Sequence, residues 1–293
     1  MEDRVTDTYR YVRIITPLPA AWLLLAIITI TVRRGEILDS ISDYYGGPLR
    51  DVLVGALMAC GLGMVAYKGR SKLEDYALNF AGVNAFFVAL VSNSFPSLLE
   101  TTRVAERAHV PVLVGSEVLL QNLKISVATL LLTALVFVVL DYRFMHWTEF
   151  RMSEQTSVGN ILVLASWAGE IIMAVFVALM VLGVESVAGA SIFTVVHFGA
   201  AALLVVNLSF AAASHAFPIQ LRTAEDAPGG SDTVQRTFRI ITGLMWAGIV
   251  VGGFLMVRHT PYATLGTEFS EILLFIAFWV VAARTEWRRD RQP

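Results

Sequence analysis

The chain has 293 residues, of which 56% are hydrophobic and only 16% charged, with a formal net charge of -2. Soluble domains carry roughly 25% charged residues, so there is too little polar surface here to coat a water-soluble body. The near-neutral balance argues against nucleic acid as a partner, and one cysteine, Cys60, excludes both an intramolecular disulfide and a cysteine-built metal centre.

A hydrocarbon core of about 30 Å asks for about 20 apolar residues per helix. Runs of that kind lie at Ile15 to Val32, Val52 to Tyr67, Tyr76 to Phe95, Ile125 to Leu140, Val158 to Val184, Ala188 to Ala213, Ile240 to Val257 and Glu268 to Ala283. The expected fold is therefore an all-α polytopic bundle of about eight transmembrane helices, one domain over residues 1–293, with seven helices as the nearest alternative. With eight spans, fifteen Lys and Arg residues fall in alternate loops and at both termini, against seven on the other side. The excess of basic residues on the cytoplasmic side of short loops predicts a cell-membrane protein, in a bacterium the inner membrane, with both termini cytoplasmic. The first run follows a charged leader without a small-residue cleavage site and reads as a retained signal anchor.

Two connections are long enough for structure of their own. Pro96 to Lys124 is expected outside, with an amphipathic interfacial helix over Val110 to Leu123; Phe217 to Arg239 is expected inside, with a turn at Pro228 to Gly230. Small residues let membrane helices approach closely. Gly55, Ala59 and Gly63, and Gly248 with Gly252, therefore predict packing faces, within the bundle or between copies of the chain. SNSFPSLL at Ser92 to Leu99 and SHAFPIQL at Ser214 to Leu221 share four of eight positions and fit a short inverted repeat.

Ionisable groups at membrane depth are costly and mark candidate sites. Glu170 lies near the centre of the fifth run, with Ser166 one turn back; it either staples two helices as a hydrogen-bonded acid or binds a proton or cation. His197 is in the sixth run, on a polar edge with Thr194 and Ser191, and is a packing residue or a partner for Glu170. His109, His146, His215 and His259 are dispersed near loops and run ends, and no HxxxH or HExxH pair exists, so no metal site is expected. The first outer loop carries Asp43, Tyr44 and Tyr45, with Arg50 and Asp51 opening the second run. It reads as an aromatic interface belt or as an outward vestibule that Glu271 approaches near Arg50.

Ser42, Tyr44, Tyr45, Arg50, Asp51 and Gly55, followed by Tyr67, Gly69, Asp75, Asn79, Ala81 and Gly82, resemble a family of uncharacterised bacterial integral membrane proteins bearing a domain of unknown function. Later echoes are His197, the arginine-led helix at Arg239, and Glu271, Phe278 and Trp279. The resemblance covers about half the chain and implies membrane class without assigning chemistry. In helix number the chain is also similar to the alkaline ceramidase and progestin-receptor-like superfamily, whose zinc site uses three histidines, an aspartate and a serine. Only His197, Asp43 and Ser42 are present to match it, and that family's paired C-terminal histidines are missing.

The functional expectation is the handling of a small solute, ion or lipid through an intramembrane polar site containing Glu170. The alternatives are a membrane-embedded lipid hydrolase using Asp43, Arg50, Glu271 and His197, and a non-catalytic scaffold. Membrane lipids are the expected partners, and no cofactor is called for.

Overall fold

The computed structural model describes residues 10–46, 49–69, 71–144, 156–221, 231–258 and 260–289. The fold is an all-α polytopic bundle: among the described residues, eight helices are long and apolar enough to cross a membrane. In chain order the helices are α1 (Leu18–Arg34), α2 (Leu49–Ala66), α3 (Lys72–Leu90), α4 (Phe95–Arg107), α5 (Ser116–Phe144), α6 (Ser157–Val181), α7 (Ile192–Ala216), α8 (Pro218–Leu221), α9 (Asp232–Val257) and α10 (Ala263–Arg289), with a 3-10 helix at Ile41–Gly46. The Pro228 to Gly230 turn, His146 and His259 lie outside the described residues.

Helix ends follow from local chemistry. Ser71 accepts the Glu74 backbone N–H at 3.2 Å to cap α3, and Thr156 accepts that of Gly159 at 3.1 Å to cap α6. Between α6 and α7, the adjacent residues Ala188 (φ 51°) and Gly189 (φ 83°) lie in the left-handed region. Together they close a small antiparallel hairpin, Ser186–Val187 against Ala190–Ser191, so that α7 starts later than the expected run from Ala188. Arg103 of α4 holds this hairpin through Glu185 at 2.9 Å. That hydrogen bond keeps the Glu185 carboxyl below the usual carboxylate range, so the tie is intact at neutral pH and weakens only in acid.

The expected interfacial helix is displaced along the chain. Residues 110–115 are non-helical, and Ser116 to Leu123 is the first part of α5. The short amphipathic helix is α4, which begins at Phe95 with Pro96 in its first turn and buries Leu99 and Thr102.

Six helices form a ring in the order α1, α2, α3, α7, α9, α10, closing back on α1, with α6 and α5 packed outside it. The most extensive contact is between α3 and α7. Their chains run antiparallel, since Glu74 pairs with His215, Asn84 and Asn207 meet one carboxylate, and the Val91 carbonyl meets His197. The main apolar core lies on this pair and α10, around Tyr67, Phe238, Phe278 and the fully buried Trp279.

Glycines allow the close approaches. On α2 and α3, Gly61 and Gly82 face each other so tightly that a Cβ on either would come within 2.8 Å of the other's carbonyl oxygen. Gly63 rests on Thr16, and Gly252 on Thr267, whereas Gly55 faces open space. Of the predicted glycine stripe on α2, then, Gly63 packs and Gly55 does not; the contact of backbone on backbone falls at Gly61. Because the opposing atom is backbone, Gly82→Val is expected to cost about 1 to 3 kcal/mol through overpacking. Thermal denaturation in detergent should show a lowered midpoint for Gly82→Val and an unchanged one for Gly55→Ala.

Candidate functional site

Glu170 sits about halfway along α6, roughly 20 Å from its start at 1.5 Å per residue. One carboxylate oxygen, Oε1, accepts from Asn84 Nδ2 at 2.6 Å and from Asn207 Nδ2 at 3.2 Å. Both asparagines are fully buried, and Asn84 also donates to the Phe80 carbonyl at 2.9 Å. Since a carboxylate only accepts, it draws the amide nitrogens toward itself and leaves the amide oxygens for other partners. Asn84 Oδ1, Asn207 Oδ1 and the buried Ser166 Oγ take no hydrogen bond. Beside them, Phe80 meets Trp167 edge to face at 4.9 Å, which walls this region with aromatic surface.

His197 is not Glu170's partner. Its Nδ1 lies 2.6 Å from the carbonyl of Val91, the residue that caps α3. A helix C-terminus leaves carbonyls without intrahelical donors, and the buried imidazole satisfies one of them. Ten residues separate His197 from Asn207, on the order of 15 Å along α7. Thr194, half-buried a turn nearer the start of α7, is farther still from Glu170.

The loop between α1 and α2 is strapped to α10, but by Glu268 rather than Glu271. Glu268 accepts from Ser40 Oγ at 2.9 Å and from the Ile41 backbone N–H at 2.7 Å. Leu265 N donates to the Asp39 carbonyl at 2.8 Å. Tyr44 is buried, with its hydroxyl 2.7 Å from Thr31 Oγ1. Partial desolvation raises the Asp43 carboxyl above its ordinary value, with Asp39 adding like charge against the pull of a Ser40 backbone hydrogen bond. Arg50 and Asp51 are exposed at the start of α2, where Asp51 suits the helix N-terminus. The expected approach of Glu271 to Arg50 does not form: both Glu271 carboxylate oxygens are buried without a hydrogen-bond partner.

Sequence reasoning missed a buried pair at the opposite end of the α3–α7 contact. Glu74 Oε1 and His215 Nε2 are 2.8 Å apart, with Glu74 fully buried and His215 nearly so. The imidazole stacks on Phe238 at 4.6 Å and meets the edge of Phe278. Nearby, Arg13 donates to Tyr67 at 2.8 Å, and Arg239 donates to the Ala216 carbonyl at 3.2 Å. The available signal was Ser71-x-x-Glu74, a capping pattern whose acid turns inward instead of back to its cap.

Among the described residues, no three His, Cys, Asp or Glu side chains are grouped to hold a metal ion. Asp43 and Ser42 belong to the loop between α1 and α2 and His197 to the α3 cap, so the zinc set of the seven-helix superfamily is not brought together. No protein-family model matches this chain, and neither does any curated protein or solved structure. The functional reading therefore rests on geometry alone.

Losing one partner of a buried hydrogen bond costs about 1 to 3 kcal/mol. His215→Leu is thus expected to destabilise the protein on that scale. Its denaturation midpoint, measured against the wild-type protein in one detergent, checks this.

Proposed function

We propose that this multi-pass membrane protein binds and moves a small cation, alone or with a solute, through the intramembrane site built on Glu170. One observation carries the reading: a mid-membrane carboxylate held by two asparagine amides, amid three buried oxygens that have no partner. A purely structural staple gains most when every polar atom is satisfied, because an unpaired one pays its full desolvation cost. Here the unsatisfied atoms are all oxygens, the donor type that hard cations take. A cation would use those free lone pairs and neutralise the acid.

The lipid-hydrolase alternative has less support, since Asp43, Arg50, Glu271 and His197 are held apart on separate contacts. The basic-residue count favours a cell membrane with both termini cytoplasmic, and the lipid-facing apolar side chains of α5, such as Leu132, Leu135 and Val139, make membrane lipid the natural partner.

The reading is tested by reconstituting the full chain in liposomes and following labelled sodium and rubidium uptake together with dye-reported proton movement. At least one cation should cross. Glu170→Gln should slow it by about tenfold or more, the scale of a lost charged contact of about 1.5 to 3 kcal/mol. His197→Gln, away from the site, should retain the flux. Absence of cation movement by the wild-type protein, or full activity in Glu170→Gln, defeats the assignment.

A further inference from the structure

α10 brings a second acid to membrane depth. Both Glu271 oxygens are buried without a hydrogen-bond partner. Gly248 of α9 faces them so closely that a Cβ there would collide with Oε1, so the glycine makes the room in which the carboxylate sits. Glu271 also lines a cavity of about 80 Å³ inside the six-helix ring. The walls are Ala20 of α1, Ala56 and Cys60 of α2, Ala85 of α3, Leu208 of α7 and Phe275 of α10, among others, and Glu271 is the one charged residue among them. The Cys60 thiol is turned to the Thr16 carbonyl at 3.3 Å.

This is a different place from the Glu170 cluster. Ala85 and Leu208 directly follow Asn84 and Asn207 in the chain. The two acids therefore stand at similar depth on opposite sides of the α3–α7 pair, Glu170 from outside the ring and Glu271 from within.

An unpaired carboxylate is costly to bury, and nothing in these walls offsets it. Neutralisation has to come from a proton or from an occupant. The space supplies the conditions for an occupant: one anionic group at one edge, and aliphatic and aromatic surface elsewhere. An inorganic cation would find a single carboxylate and otherwise no oxygen ligands, too few to replace its hydration shell. A short alkylammonium matches both parts, with its charge at Glu271 and its chain against the alanines, Leu208 and Phe275.

We propose that the Glu271 cavity is a binding site for a small organic cation of the primary-amine class, independent of the ion site at Glu170.

The test is isothermal titration calorimetry on the full chain in mild detergent, with n-butylammonium, 1-butanol and butyrate as probes of matched chain length. Wild-type protein should bind butylammonium about tenfold or more tighter than 1-butanol, and butyrate should not bind. Glu271→Gln should abolish the preference for the amine while the alcohol still binds. Ala56→Leu, which fills the cavity, should weaken both, and Glu170→Gln should change neither. Equal binding of amine and alcohol by wild-type protein overturns the proposal even where Glu271→Gln fails to fold, and marks the acid as simply protonated. No binding of the amine overturns it as well, as does a preference that survives Glu271→Gln or disappears in Glu170→Gln.

Discussion

Inside a bilayer there is no water to compete for a polar contact, and hydrophobicity gives little drive for one helix to choose another. The contact on which this bundle depends is the antiparallel pair α3 and α7, joined by polar groups at three depths. Glu74 meets His215 at one end, Asn84 and Asn207 converge on Glu170 near the middle, and His197 takes the Val91 carbonyl at the other end. Between these levels the surfaces are small and apolar, including Ala77, Ala81, Ala200 and Ala211, all buried. Small side chains bring the backbones close, and the polar groups then select one register.

Around that pair the remaining helices take roles set by what they contribute. α6 supplies the carboxylate that both asparagines need, and so is fixed in rotation. α9 and α10 pack through Gly248 and Gly252 on one side and Glu271 and Thr267 on the other. Along α10, Glu268 and Glu271 are one turn apart yet serve different ends: the first holds the loop between α1 and α2 through Ser40 and Ile41, and the second enters the central cavity.

The membrane class and the eight spans were legible because a run of about 20 apolar residues has few other uses. Glu170 was legible for the same reason, as a charge in such a run. Its partners were not. Asparagine in an apolar run carries no charge to attract notice, and Asn84 and Asn207 are joined to Glu170 across 86 and 37 positions. Glu74 was hidden by its position, since an acid in the first turn of a helix ordinarily faces water and the helix dipole. His197 was open between a packing residue and a partner for Glu170, because sequence shows depth but not the neighbouring helix end that the imidazole satisfies. Glu271 was expected to approach the loop between α1 and α2; the acid that reaches it, Glu268, lies one helical turn earlier, a distance that a span boundary read from hydropathy does not resolve. Of the two glycines on the predicted α2 stripe, Gly63 meets Thr16 and Gly55 meets nothing, while Gly61, off that stripe, meets Gly82 because of how α3 crosses.

The three polar levels on α3 and α7 also determine which motions the bundle can make. If α7 slid along α3 by one helical turn, about 5.4 Å, Glu74 and His215, Asn84 and Asn207, and Val91 and His197 would all part in the same step, in a medium that offers none of them a substitute. The pair is therefore a strut, resistant to sliding and able to travel only as one body. On the cation-transport proposal, opening toward either side of the membrane would come from other helices tilting against that strut, with α6 swinging Glu170 away from its asparagines or α10 withdrawing Glu271 from its cavity. The polar contacts that fix the fold thereby also set which two helices form one rigid unit.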